Sequence, residues 1–265
     1  MKQVNSKYYN QKYFQFQSNS PNFSLKLTPK DFHKKYLEIA SILKLSSKDK
    51  VCDLGCGTGD LSFLLWLKYH CSIIAIDYSA DAIKICRQKK KLFTKNNSSP
   101  NILFLNKNNQ SLPKLKNIKA VYLCDVIEHL YPSEIDFLLK EIIKWSKPDI
   151  LIHTDNNNYL KLIEPLLNSI SLILRKTNLK KIKQTKQFHQ KRHVNLTTPK
   201  KLNKVMKQFG YFPKVIQYPQ IDQEIIVKQL GSLSKFNFLV CLSQKILKLM
   251  PFLSPSFYCL YSSTN

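Results

Sequence analysis

The chain has 265 residues, 43% of them apolar, enough for one substantial buried core with appendages. Lys and Arg total 42 against 17 Asp and Glu, and the resulting net charge of +25 comes almost wholly from lysine; it admits phosphate-bearing partners or an anionic membrane, and equally a lysine-rich composition with no partner behind it. No run reaches the ~20 apolar residues of a transmembrane segment, residues 1–22 lack the apolar core of a signal peptide, and 7 scattered cysteines without a C-x-x-C pair exclude zinc-ligand spacing and fit reduced thiols of a cytoplasmic protein.

Residues 1–29 form an arm rich in Tyr, Phe, Gln and Asn. A helix is predicted over 28–45: Thr28 suits the N-cap, Pro29 the first position, and Phe32, Tyr36, Ile39, Ala40 and Leu43 recur at helical spacing. Lys50 to Leu54 reads as a buried strand that runs into Gly55-Cys56-Gly57-Thr58-Gly59, and the apolar run Leu61 to Leu67 reads as the helix after it. Glycine leaves no Cβ between backbone and ligand, and the helix start offers free N–H groups and a positive dipole end, so strand, turn and helix make a nucleotide-type site. A dinucleotide fingerprint needs G-x-G-x-x-G; here the third glycine comes one residue early and Asp60 stands in its place. A phosphate loop would need Gly-Lys-Ser or Gly-Lys-Thr, which is absent. Three of the chain's 5 glycines sit in this turn, which argues for a ligand over a bare turn.

The stretch Asp53 to Gly59 resembles the D-x-G-x-G-x-G motif of class I S-adenosylmethionine-dependent methyltransferases, whose loop holds the methionine end of the cofactor. Ser72 to Asp77 is the second buried strand. Its terminal acid, Asp77, lies 18 residues after Gly59, about the distance at which a carboxylate in βαβ folds accepts from ribose hydroxyls; the alternative for Asp77 is an acid at the start of the helix that Ser79 opens. After a helix over 80–92 and a third strand over 101–105 comes Asn108, where the family usually has an acid touching the adenine amino group; the amide oxygen can still accept, without charge. Ala120 to Cys124 is the fourth strand, and Asp125-Val126-Ile127-Glu128-His129-Leu130 is a second resemblance to the superfamily. The resemblance thus implies cofactor contacts at Asp53, Gly55, Cys56, Gly57, Gly59, Asp77, Tyr78, Asn108, Cys124 and Asp125. It also implies that the Tyr8–Phe14 segment folds over the active site; a disordered tail is the alternative.

A helix opened by Pro132 and Ser133 and a fifth strand over 149–153 follow. Family members often have Pro-Gly-Gly at that junction; Pro148-Asp149 lacks the glycine, so a changed turn is expected. Strand and helix alternate throughout, which gives an α/β fold with a doubly wound, Rossmann-like, mostly parallel sheet. A sixth strand is predicted over 212–218 and a seventh over 257–261, antiparallel by resemblance. An amphipathic helix over 159–175 belongs to a helical cap inserted at about 156–197. The organisation expected is an arm at 1–29, a methyltransferase domain at 30–221, and C-terminal helices (222–230, 235–250) with the last strand at 222–265. The apolar stripe of 235–250 suits a helix packed on the core, a lid or a membrane-surface helix.

Acids concentrate at the predicted C-terminal strand edge, whereas none lies between Glu164 and Asp222, a stretch rich in lysine. An anionic acceptor, or a merely solvated lysine face, follows. For chemistry, Asp125, Glu128 and His129 would share one face if a helix starts at the strand end, and His129 has the right ordinary pKa for a base. His129, Glu128 and His153 are the catalytic candidates, with His189 and His193 as alternative bases. A similar Glu-x-x-Glu-His in ubiquinone-pathway and small-RNA O-methyltransferases binds a divalent metal, which makes Asp125, Glu128 and His129 a candidate metal set; the metal-free reading is preferred. The expectation is a cytoplasmic methyltransferase, peripheral to a membrane at most, using S-adenosylmethionine on oxygen of a small or lipid-linked anionic acceptor. The alternatives are an RNA methyltransferase and a non-catalytic binding protein on the same fold.

Overall fold

A computed structural model describes residues 4, 8–10, 13–14, 27–96, 99–108, 111–173, 178–219, 241, 245 and 249–263. Seven strands form one sheet: β1 Lys50–Leu54, β2 Ser72–Asp77, β3 Ile102–Asn106, β4 Ala120–Cys124, β5 Asp149–Asp155, β6 Phe212–Gln217 and β7 Ser256–Ser262, in the spatial order β3-β2-β1-β4-β5-β7-β6. β1 to β5 are parallel, and β7 runs antiparallel between β5 and β6. The helices are α1 Lys34–Ile42, α2 Asp60–Tyr69, α3 Ala80–Asn96, α4 Pro132–Ile143, α5 Glu164–Ile173 (preceded by a π turn, Tyr159–Ile163), α6 Leu179–Gln190 and α7 Pro199–Gln208.

The central strands are apolar runs because both faces are covered. Their two-residue period sends Val51, Ala75 and Tyr122 to one face, where α1 to α3 contribute Ile39, Phe63, Leu64 and Phe93. It sends Cys52, Ile76, Val121 and Leu123 to the other, against Leu138, Ile142 and Trp145 of the α4 region and Met206 of α7. Each fully buried Leu, Ile or Phe contributes about 1.5–3 kcal/mol of transfer free energy. The strand order reverses between β1 and β4, and that opens a crevice beyond their C-terminal ends.

Several elements differ from expectation. The helix over 28–45 is split: Thr28 donates to the Asp31 carboxylate from both N–H and Oγ (2.6 and 2.9 Å), which closes a 3₁₀ turn at Pro29–Asp31, and Phe32 is extended. α1 then starts at Lys34, with the His33 Nδ1 accepting from the Lys35 N–H. The predicted helix 159–175 begins with the π turn, and its last residues lie outside the described ones. The helices expected at 222–230 and 235–250 also lie outside the described residues, apart from 241, 245, 249 and 250. Before β5, Ser146 and Lys147 both adopt positive φ (74° and 49°), the changed turn that follows from having no glycine there. The cap segment leaves the sheet and returns at one point, where Asn156 bridges to Thr197.

Candidate active site

Beyond the C-terminal ends of β1, β2 and β4 lies a cavity of about 360 Å³, within the usual range for a small-molecule site. Its floor is the glycine turn. The N–H groups of Gly55 and Cys56 donate to the Ile76 carbonyl, and that of Gly57 donates to Asp77 Oδ2 at 2.9 Å. Gly55 (φ +78°) lies so close to Val126 that a Cβ would collide with its side chain, whereas a Cβ at Gly57 (φ +52°) would meet only Phe14 Cε1, in van der Waals contact at 3.8 Å. Behind the turn, Lys89 donates to Asp60 (2.8 Å), forming an ion pair, and to the Thr58 carbonyl (3.1 Å).

The acids around the cavity differ in state. Asp53 is fully buried and accepts from Ser62 Oγ; burial pushes its carboxyl up to about 7, and the Ser62 bond offsets part of that. Burial also raises Asp77, against the lowering effect of the backbone N–H groups it accepts. Asp125 sits at φ +56°, a left-handed conformation that Asp tolerates. Its two carboxylate oxygens meet Lys35 Nζ and His153 Nδ1. Burial alone would raise the Asp125 carboxyl, but the Lys35 ammonium and His153 hold it well below the usual range. The His153 ring rests on Tyr258 (centroids 4.8 Å), whose hydroxyl donates to Glu38.

His129 is half-buried at the cavity wall. Burial and the His193 ring beside it (4.7 Å) depress its imidazole to about 4. Its Nδ1 lies 3.1 Å from the Arg192 carbonyl. A carbonyl can only accept, so Nδ1 carries the proton and Nε2 is left as the acceptor. Glu128 is buried and accepts from Thr154 Oγ1 at 2.9 Å; burial, then Asp125 and Asp155, raise its carboxyl well above the usual range. His193 pairs with Asp155 at 3.0 Å.

The described residues of the N-terminal arm, Val4, Tyr9, Tyr13 and Phe14, lie against this site. Tyr9 packs on Tyr78 and His129 (5.6 and 5.5 Å), and its carbonyl accepts from Ser79 Oγ. The Arg192 guanidinium lies over Tyr13 (4.6 Å) and donates to the Tyr8 carbonyl.

Of the predicted site residues, Gly55, Cys56, Gly57, Asp77, Tyr78, Asn108, Cys124, Asp125 and His129 line the cavity. Asp53, Gly59, Glu128 and His153 do not: Asp53 and Glu128 are turned to Ser62 and Thr154, Gly59 starts α2 against Cys86 and Phe104, and His153 stands behind Asp125. The shared helical face of Asp125, Glu128 and His129 is not formed. Asp125 is left-handed and Ile127–His129 is a 3₁₀ turn, because α4 starts only at Pro132. Their ligand atoms therefore make no metal-sized group; among the described residues that grouping belongs to Cys124, Asp125 and His153, all within 4.8 Å, with Lys35 on the same carboxylate. The side chain of His189 lies outside the description. Asn108 is exposed at the rim, its Oδ1 accepting from Ser111 Oγ. Lys35, Arg192 and Glu134 are not among the expected site residues. Lys35 had a signal: it lies on the buried side of α1, three residues after Phe32 and four before Ile39.

Residues 51–149 match the profile of the methyltransferase domain family. These residues are a class I S-adenosylmethionine-dependent methyltransferase domain. No curated protein matches it. Among solved structures, this methyltransferase is similar to magnesium protoporphyrin IX methyltransferase from Synechocystis with bound S-adenosylhomocysteine: TM-score 0.59, 12% identity, covering 98% of this chain and 97% of that one. It is also similar to the methyltransferase domain of bacterial CtHen1, with TM-score 0.54 and 19% identity over 86% of this chain and 96% of that one. A third is geranyl diphosphate C-methyltransferase from Streptomyces coelicolor in complex with Mg2+, geranyl diphosphate and S-adenosylhomocysteine, with TM-score 0.53 and 12% identity over 86% and 74%. At these identities the likeness is one of fold.

The residues present fit S-adenosylmethionine. The methyltransferase offers a bare backbone at Gly57 lining the cavity, a cavity of nucleoside size, and an ionised acid, Asp125, for a cationic ligand. When bound, the cofactor supplies an electrophilic methyl group on a sulfonium. What such a site can contribute is the alignment of donor and acceptor, which alone can supply on the order of 7–11 kcal/mol.

Proposed function

We propose that the methyltransferase methylates an oxygen that is already acidic, a carboxylate or a low-pKa hydroxyl, on a small or lipid-linked anionic acceptor. The state of His129 carries this reading. A neutral imidazole with a proton affinity near 4 and Nε2 as its acceptor is matched to an acidic proton and poorly matched to that of an ordinary alcohol. The lysine-rich, acid-free stretch after Glu164 favours an anion near the same edge of the sheet. In this reading Asp77 accepts from the ribose hydroxyls, Asn108 from the adenine amino group, and Asp125, oriented by Lys35 and His153, faces the cationic methionine end.

The reaction proceeds without a divalent metal. A metal ligand must be deprotonated, whereas burial raises the Glu128 carboxyl well above the usual range, and Asp125, Glu128 and His129 share no common face. At the Cys124, Asp125 and His153 group, the Lys35 ammonium opposes a cation.

The test is transfer of labelled methyl from S-adenosylmethionine to a panel of carboxylic acids, phenols, amines and an RNA oligonucleotide, with chelator and with Mg2+ or Mn2+. Label on acid or phenol oxygen, unchanged by chelator, is expected. Label on amine or RNA only, or activity that needs the metal, overturns the reading.

A further inference from the structure

Among the described residues, the cap carries exposed apolar side chains. Most large apolar side chains exposed among the described residues fall in two stretches, Leu162, Leu166, Ile173 and Leu179 in the cap and Leu249, Met250 and Phe252 near the start of β7. Scattered exposed apolar residues need no explanation, but a contiguous patch does. These stretches are neighbours: the Tyr159–Ile163 turn packs against Pro251–Leu253, and the Asn156 side chain donates to the Phe252 and Ser254 carbonyls, both at 2.8 Å. Leu166 and Ile173, 57% and 80% exposed, are seven apart on α5 and share one face.

The next helix along the chain supplies charge. On α6, Leu179, Lys183 and Lys186 recur at i, i+4 and i+7, again on one face, and Lys161, Lys180 and Lys191 are exposed as well. No acid occurs from residue 165 to residue 221. Aliphatic side chains next to lysines, with no acid, is the composition of a helix that lies in the headgroup region of an anionic bilayer. A second copy of the chain would bring lysine against lysine on this face. A nucleic acid would find leucine and isoleucine where stacking aromatics or arginine serve single strands.

We infer that α5 and α6, with 249–252, form a docking face for an anionic lipid bilayer. The face springs from the same sheet edge as the cavity. The cap leaves β5 at Asn156 and returns at Thr197, and the Arg192 just before that return holds the arm over the site. Docking therefore sets the cavity beside the headgroups, and the acceptor is an amphiphile held in the membrane. That last step rests on the acidic-oxygen reading above; the docking itself does not.

The test is flotation of the full chain with vesicles of phosphatidylcholine alone and with about one-third phosphatidylglycerol. The wild type is expected to float with the anionic vesicles only and to be released by salt. The double variant Leu166→Asp/Ile173→Asp should bind these vesicles at least about tenfold more weakly, and Lys183→Gln/Lys186→Gln about tenfold or more. Both should bind S-adenosylhomocysteine as the wild type does, which shows that they fold. No flotation of the wild type, or flotation untouched by either pair, overturns the proposal. So does loss, in the leucine variant, of an RNA complex or a dimer seen without vesicles. Methyl transfer to a soluble acid by a chain that does not float sinks the docking face and leaves the acidic-oxygen reading intact.

Discussion

Asp53 opens the glycine turn yet lies behind it, so its substitution by Asn separates two roles that sequence alone merges. The carboxyl is fully buried on Ser62 Oγ and raised to about 7, whereas in the unfolded chain it titrates near 4. Between these values the folded state holds a proton that the unfolded state has released, so stability falls as pH rises through the window. At about 1.4 kcal/mol per unit, rounded off near the folded value, this one carboxyl removes roughly 2 kcal/mol between about pH 5 and about pH 7. Asn has the shape of the neutral acid and does not titrate. Urea unfolding at the two pH values should therefore show Asp53→Asn gaining roughly 2 kcal/mol on the wild type at the higher pH. Calorimetry should find S-adenosylhomocysteine affinity within a few-fold of wild type, since Asp53 does not line the cavity. A stability difference that is the same at both pH values would mean that the carboxylate is ionised in the fold. A tenfold loss of affinity would mean that Asp53 reaches the ligand.

Gly55→Ala faces both a positive φ and the Val126 side chain, and thermal melts should show a loss of roughly 2–4 kcal/mol. Adding Val126→Ala should recover only the collision, and full recovery would show that φ is no constraint. His129→Gln should lower kcat about 100-fold with cofactor affinity kept. Because the imidazole stays neutral above about 4, wild-type kcat/KM should hold level to about pH 5; a fall centred on the ordinary histidine value near 6.5 would contradict its placement. Arg192→Ala removes the stack on Tyr13 and the bond to Tyr8. Stopped-flow release of S-adenosylhomocysteine should then quicken about tenfold or less, and trypsin should cut the arm sooner; unchanged release would mean that the arm does not close the cavity.

The central sheet was legible because β1, β2, β4 and β5 are apolar runs that end in turn chemistry, and because three glycines close together have few structural uses. The support behind the site was less legible. Lys35 reads as one more lysine in a lysine-rich chain until α1 is seen to bury that side. Arg192 joins residues from both ends of the chain, which no local pattern reveals. The spacing of Asp125, Glu128 and His129 suggested a shared face only on the premise of a helix. Pro132 sets the helix start later, so the three residues fall on a left-handed residue and a 3₁₀ turn and part company.

β7 lies between β5 and β6 although it follows both in sequence. On the ribosome, β5 therefore emerges with one edge unpaired and waits through the synthesis of α5, α6, α7 and β6 before its neighbour exists. The same late strand brings Tyr258 against His153, the residue that braces Asp125. A nascent chain can thus complete its glycine turn early, but it has no braced acid in the cavity until its last strand zips in. A chaperone that shields the β5 edge would govern the yield of active enzyme more than that of soluble chain, and stalling synthesis before residue 256 would separate the two.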